Sequence, residues 1–461
     1  MRLTKSKYAN INYLAKIVDL KEFHAHPDPE VIKLKCTYVD GYNIIVGIDS
    51  EPGKYVYFPT SSTINPQLLS FGNLYRHAER NSNQEQTGMF EDNGRVKAIK
   101  LRGCVSEGFL LPIDIFNNWV IDATNQQIEN LDANTEFDSV EHNGKSFWVC
   151  KKYIVQKQTT SNSQKHYNKR QRKLKRFNKV IDTQFRFHYD TLLIRKQPTA
   201  IQPSDLIHIS YKIHGTSGIS SYVLTKHPIG LLKRIGNFIA GKGFRPYEEE
   251  YDYLYSSRSV IKNQYYNRTA GSGYYGIDVW GEADRYLRPY LQKGMTFYYE
   301  IVGFLPNGGY IQRSYDYGCV PPKVGEIYTP EKHFKVRIYR ITLTNVDGLV
   351  HEFSPREVQI WCKTHGLIPV EECYYGCAAD LYPNIPIDDN WSTEFINLLA
   401  NDKRFYMEQD SPHCVNKVAH EGLVIKIDNM KSAAFKLKCF RFLDKEGRDA
   451  DAGIENIEDN A

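Results

Sequence analysis

No stretch of the 461-residue sequence is apolar for long enough to cross a bilayer, which excludes a helical membrane span. The first twenty residues carry some positive charge but neither a continuous apolar core nor a small-residue cleavage site, so no secretory signal is expected. Cysteine is sparse. Nine cysteines without regular spacing do not make a disulfide framework, and they point to a reducing compartment, with the cytoplasm as the expected location. Internal repeats of solenoid type are missing as well. The charge imbalance is small, at +5, and 41% hydrophobic with 25% charged residues is ordinary for a soluble globular chain.

What is present is uneven. Eight Lys or Arg and no acid lie between Lys165 and Lys179, whereas the eighteen residues from Asp444 hold seven acids against two bases. The basic run reads either as a solvated segment or as an arm that binds phosphates without sequence preference. The acidic end reads as a disordered tail.

The length allows two to three domains. Residues 1–155 hold many short alternating stretches (VIKLKCTYV, YNIIVGI, KYVYFP, VKAIKLRGCVSEGFLLP), with turns at Asp40-Gly41 and Pro52-Gly53 and a polar loop from Asn81 to Asn93. A small sandwich or barrel is expected, of which an OB-like barrel is the version often joined to nucleic-acid enzymes. Residues 156–180 read as a basic linker. Residues 181–443 mix strands (DLIHISYKI, MTFYYEIVGF, FKVRIYRITLT, GLVIKID, AAFKLKCF) with helical patterns (GLLKRIGNFIAG, PREVQIWCKTHG, STEFINLLANDKRF), and 444–461 form the tail. The fold class is α+β with antiparallel sheets.

Lys212 ends a strand and is followed three positions on by Gly215, where the backbone can turn or approach a ligand closely. Four more pieces follow in order. Arg258 lies in YSSRSVI, Glu300 interrupts the apolar strand TFYYEIVGF, Glu421 opens EGLVIKID, and Lys436 and Lys438 lie in AAFKLKCF. Strand alternation puts those two lysines on one face and Phe435, Leu437 and Cys439 on the other. Two ammonium groups so placed repel unless an anion lies between them, and a nucleotide phosphate would supply it. Each piece has an ordinary structural explanation: a paired buried acid, its partner, an edge-strand device. All five in this order are harder to explain that way.

The series K-I-H-G, S-R, Y-E-I-V-G, E-G-L-V-I-K and K-L-K resembles motifs I, Ia, III, IV and V of the covalent nucleotidyltransferases, which include DNA ligases, RNA ligases and mRNA-capping guanylyltransferases. Three features favour the branch of ATP-dependent RNA ligases with an N-terminal OB-like domain: K-x-H-G in place of K-x-D-G, the about twenty residues after Lys438 that leave no room for a C-terminal OB domain, and the leading segments VKAIKLRGCVSEGFLLP and FWVCKKY. The resemblance implies a C-terminal nucleotidyltransferase domain, antiparallel sheets flanked by helices, that seals 3′-OH/5′-PO₄ RNA ends through a lysyl-AMP intermediate. It makes Lys212 the nucleophile and Glu421 the holder of a catalytic Mg²⁺ or Mn²⁺. Arg258 and Glu300 would contact the ribose of ATP. Lys426, Lys436 and Lys438 would lie near the phosphates, and Tyr339, with Phe334 as competitor, would stack on adenine. Tyr211 stands where many relatives have an acid, so adenine recognition there would fall to backbone groups. RNA would be held by the basic linker and the N-terminal domain; no obligate protein partner is implied. The alternatives are a DNA ligase, a capping-type guanylyltransferase, or a non-catalytic RNA-binding protein on the same scaffold.

The chemistry fits the residues. A lysine attacks phosphorus only when neutral, and its ordinary pKa of ~10.4 keeps it protonated at pH 7 unless neighbouring cations intervene. The same cations stabilise the phosphates and departing pyrophosphate. Cys373 and Cys377, with His365, His413 and Cys414, are too scattered for a zinc site. The GLLKRIGNFIAGKG helix is basic and apolar on opposite faces, and packing against the catalytic sheet is expected over a membrane surface.

Overall fold

A computed structural model describes residues 1–6, 12–60, 62–154, 179–189, 191–241, 243–262, 275, 277–428 and 433–454. Most of the basic run from Lys165 therefore lies outside the described residues.

The N-terminal unit is built from short antiparallel strands. Its largest sheet has four, in the order Phe109–Pro112, Gly53–Phe58, Ala15–Leu20, Glu136–Phe137. Leu34–Val39 returns into Tyr42–Gly47 through Asp40 and Gly41, whose φ angles of 50° and 77° are those the Asp-Gly turn requires. The expected strands after Val96 form at Ala98–Leu101, Cys104–Glu107 and Phe109–Pro112. Among the described residues the pairings make several small sheets and not one closed barrel. The sequence reading assigned no helix to Ile113–Thr124, yet one forms there and buries Phe116, Trp119 and Val120 against the four-stranded sheet and its neighbours.

The second unit is mixed α/β, with two five-stranded sheets. In the first the order is Leu192–Leu193, Ala433–Lys438, Gly422–Ile427, Leu206–Tyr211, Glu372–Cys377, antiparallel except for the two-residue Leu192–Leu193 strand. In the second it is Tyr247–Ser257, Thr216–Pro228, Met295–Gly303, Phe334–Thr344, Val350–Glu352, antiparallel throughout. The chain passes from one sheet to the other between Tyr211 and Thr216. Contacts that join the units include Arg195 Nη1 donating to the Gly41 carbonyl at 2.7 Å, Lys97 Nζ bonding Asp451 at 2.7 Å and Arg95 Nη1 donating to the Gly447 carbonyl at 3.2 Å.

The helices Leu231–Ile239, Pro355–Thr364 and Trp391–Asn401 occupy the three helical patterns. Ser354 and Glu357 form a capping box at the start of the second, with Pro355 at its first position. Two expectations fail. None of the side chains of Leu231–Ile239 is buried, and Leu231, Leu232, Phe238 and Ile239 are 62–86% exposed, so this helix does not pack on the sheet. It sits at the end of the Thr216–Pro228/Tyr247–Ser257 hairpin, beyond the sheet's other strands. The expected tail also starts too early: Phe440–Asp451 is a helix, seated by Phe442 in the core and by Lys438–Glu446. No helix among the described residues is long and apolar enough to cross a membrane.

Candidate active site

Ile207, Ile209 and Tyr211 face the core of the first sheet, and the two-residue period then turns Lys212 to the opposite face. The Lys212 amide donates to the Gly422 carbonyl at 2.8 Å, which pins the end of one strand to the start of the next. The Tyr211 side chain packs against Tyr406, His413 and His420, with burial raising its phenol pKa, so the side chain belongs to the core and only the backbone there is left for a nucleotide.

The crossover to the second sheet is tightly held. The Tyr317 hydroxyl accepts from the His214 amide at 3.1 Å and donates to the His214 carbonyl at 2.8 Å. The His214 ring sits edge-on to Tyr315 at 4.7 Å and Phe442 at 4.8 Å, and Gln312 reaches it with its amide. At Gly215 a Cβ would collide with the Ile301 carbonyl oxygen and lie 2.7 Å from Val302 Cγ1. Close approach of backbone to backbone, and not a positive φ, demands glycine here.

Glu421 is 2% exposed, and its Oε1 lies 2.7 Å from Lys212 Nζ. Its Oε2 is 3.5 Å from His214 Nδ1. Gly422, which follows, lets the Leu437 carbonyl oxygen come where a Cβ would stand. Across the next strand, Lys438 is in register with Gly422 and Lys436 with Val424, while Phe435 and Leu437 are buried beneath. Lys436 and Lys438 thus share the face of Lys212, as alternation requires. Lys438 Nζ bonds both carboxylate oxygens of Glu446 at 2.8 and 3.0 Å.

Lys426, expected near the phosphates, donates to the Tyr339 carbonyl at 2.6 Å and braces the first sheet against the second. Desolvation lowers its pKa to about 8, helped by Arg340 and opposed by Glu352 and Asp428.

On the second sheet, Ser217 is in register with Glu300 and Gly218 with Ser257, which puts Arg258 just past the strand end on the other side. Glu300 is 8% exposed. Ser217 Oγ lies 3.0 Å from the Tyr339 hydroxyl, and its carbonyl accepts from Trp280 Nε1 at 3.0 Å. Burial raises the Tyr339 phenol pKa and Glu300 raises it further, while Ser217 and Arg258 lower it, so all three act on Tyr339. Phe334 is 1% exposed and stacks on Tyr328 at 4.7 Å, a core residue, whereas Tyr339 is half-buried.

Two groups are therefore brought together: Lys212, Glu421, Lys436 and Lys438 on one sheet, and Arg258, Glu300 and Tyr339 on the other. Gly215 lies between them. Sequence reasoning gave no role to His214, Tyr317, Ser217 or Glu446. His214 was visible inside the lysine motif; Glu446 was hidden by its place in an acidic stretch.

No group of three or more His, Cys, Asp or Glu among the described residues could cage a metal ion. One buried carboxylate facing a row of lysines fits a hard divalent cation that takes its remaining ligands from water and phosphate oxygens. Glu421 is the residue that would hold such an ion.

No protein-family model and no curated protein matches the chain. Among solved structures it is similar to a Naegleria gruberi RNA ligase variant with ATP and Mn, at 15% identity and a TM-score of 0.52, over 94% of this chain and 99% of that one. It is similar also to Naegleria gruberi RNA ligase with PPi, at 14% identity and a TM-score of 0.51, over 95% and 100% of the two chains. At this identity the likeness establishes a shared fold.

Proposed function

We propose that the protein is an ATP-dependent RNA ligase whose nucleophile is Lys212. The observation that carries this reading is the ion pair between Lys212 and Glu421 on a face that also bears Lys436 and Lys438. On the second sheet, Ser217 is in register with Glu300 and bonds Tyr339, and both Glu300 and Arg258 act electrostatically on Tyr339. One side offers a nucleophile and cations for a triphosphate; the other offers a carboxylate, a guanidinium and a ring for a nucleoside. The solved structures of the same fold are of an RNA ligase with ATP, Mn or PPi, which supports ATP as substrate and Mg²⁺ or Mn²⁺ as the metal.

In the first step the neutral Lys212 amine forms an N–P bond to the α-phosphorus of ATP. The bond from that phosphorus to the bridging oxygen breaks, pyrophosphate leaves with the electron pair, and the attacking nitrogen gives up one proton to water. Lys436 and Lys438 balance the charge that builds on the departing group. A divalent cation beside Glu421 would add positive charge at the phosphates. Glu300 and Arg258 orient the ribose, and Tyr339 the base, so that amine and phosphorus meet in line. AMP then passes from Lys212 to an RNA 5′-phosphate, and attack by a 3′-hydroxyl on that end forms the phosphodiester and releases AMP.

We read residues 1–155 as an OB-like module and 156–180 as a basic arm, both holding RNA across the face of Lys212. The catalytic domain runs from residue 181 through the helix Phe440–Asp451. The nine cysteines are free thiols, which suits a cytoplasmic enzyme.

The test is sealing of nicked duplexes that carry RNA or DNA on each side of the nick, with ATP and Mg²⁺ or Mn²⁺. Sealing that needs RNA at the 3′-hydroxyl side supports the reading. Equal sealing of an all-DNA nick would remove the RNA assignment, and covalent labelling from GTP alone would indicate a capping-type enzyme.

A further inference from the structure

The segment from Lys179 to Tyr189 enters none of the roles above, yet it crosses the open face of the second sheet under several restraints. Val180 bridges Thr225, and Lys226 donates its amide to the Lys179 carbonyl at 2.7 Å. Gln184, 2% exposed, donates to the Asn345 and Val346 carbonyls at 2.8 and 3.1 Å. Arg186 donates to the Gly348 carbonyl and accepts from the Tyr298 hydroxyl, both at 3.1 Å. Phe185 is buried in a cluster with Ile219, Val223 and Tyr298, against which Tyr339 packs. These bonds tie the segment to the Thr216–Pro228 strand at one end and to the turn after Phe334–Thr344 at the other.

The restrained strap delivers one side chain to the nucleoside side of the site. The His188 ring stands edge-on to Tyr339, with centroids 5.4 Å apart and planes at 74°. Behind it, His188 stacks on Tyr189 at 5.6 Å and 17°, and Arg340 lies between the rings of Tyr189 at 4.6 Å and Tyr298 at 4.5 Å. Arg340 is itself fixed by Glu352 at 2.8 Å. The row Glu352, Arg340, Tyr189, His188 therefore ends on the ring of Tyr339. At its other end the Tyr339 hydroxyl is held by Ser217. The Tyr339 ring already packs along the cluster of Phe185, Ile219, Val223 and Tyr298, and the edge contact from His188 narrows its remaining tilt.

We infer that His188 is a positioning residue for the nucleobase: its ring wedges Tyr339 into the orientation that receives the base of ATP. This rests on the ligase reading, in which Tyr339 carries the base. Binding then improves because the stacking surface is ordered before the nucleotide arrives. The chemistry at Lys212 is untouched, so the effect falls on nucleotide affinity and not on the rate of phosphoryl transfer.

The experiment measures the single-turnover rate of lysyl-AMP formation against ATP concentration for the full chain and for His188→Ala, His188→Phe and His188→Gln. The expected result for His188→Ala is a half-saturating ATP concentration raised about five- to tenfold, the loss expected for one aromatic edge contact. Its saturating rate should change less than about twofold. His188→Phe should restore the affinity and His188→Gln should not. An unchanged half-saturation in His188→Ala, or a fall confined to the saturating rate, overturns the inference while leaving the ligase reading intact. If the wild-type chain takes no label from ATP, the ligase reading fails and the inference with it. Should His188→Ala lose its cooperative melt, the Phe and Gln variants decide, and equal affinity in those two overturns the proposal.

Discussion

Lys212 Nζ and the Glu421 carboxylate lie 2.7 Å apart, and the second oxygen of the same carboxylate faces His214 at 3.5 Å. Glu421 thus links Lys212, the proposed nucleophile, to the crossover that positions it. An ammonium in an ion pair is a poor nucleophile. On the ligase reading the Lys212 ammonium must lose a proton to solvent before it attacks, and a divalent cation held at Glu421, with Lys436 and Lys438 on the same face, would favour the neutral amine.

Glu421→Gln keeps the shape but removes the charge. Lysyl-AMP formation should fall about 10²–10³-fold, the range seen when one preorganised electrostatic group is lost. Single-turnover labelling measures it; a fall of less than about threefold would mean that Glu421 serves the fold and not the reaction.

Gly215→Ala tests the crossover. The added methyl meets the Ile301 carbonyl oxygen and Val302, both on a buried strand with little room to move. Unfolding in urea should reveal a loss of about 1–3 kcal/mol, as overpacking produces elsewhere. Unchanged stability would show that the crossover yields more easily than its contacts suggest.

Much of this site was legible because strands have a period of two. Alternation alone put Lys436 and Lys438 on one face and Phe435 and Leu437 on the other, and the structure has them so. The pattern PREVQIWCKTHG likewise marked its helix, Pro355–Thr364. Amphipathicity, by contrast, tells which side of a helix is apolar and not what covers it, so the apolar side of Leu231–Ile239 was expected against the sheet, whereas it is Lys233 and Asn237 that reach it, at Glu248. Glu446 read as one acid in a tail because its partner Lys438 meets it only through the helical fold of Phe440–Asp451. The place of Tyr339 in IYRI favours it over Phe334, and the full burial of Phe334 beside the half-buried Tyr339 agrees with that preference.

Lys426 gives a pH dependence. Its folded pKa of about 8 lies below the ordinary lysine value, so between about pH 8 and 10.4 the unfolded chain binds more protons than the folded one. Stability attributable to this group rises with pH across that window, and the penalty of its buried charge is fully present below it. Relative to Lys426→Met, the wild type should gain up to about 1.4 kcal/mol per pH unit there. Urea unfolding of both proteins at about pH 7 and pH 9.5 checks it. A constant difference between the two would place the amine in a more polar setting than its bond to Tyr339 implies.

The central claim is that Lys212 carries AMP. Incubating the protein with ATP and Mg²⁺ or Mn²⁺, quenching in acid-free denaturant and mapping the peptides by mass spectrometry tests it directly. The account predicts one AMP on the peptide that contains Lys212, absent from Lys212→Ala and removed from the wild type by added pyrophosphate. AMP on any other residue, or none on the chain, would contradict it.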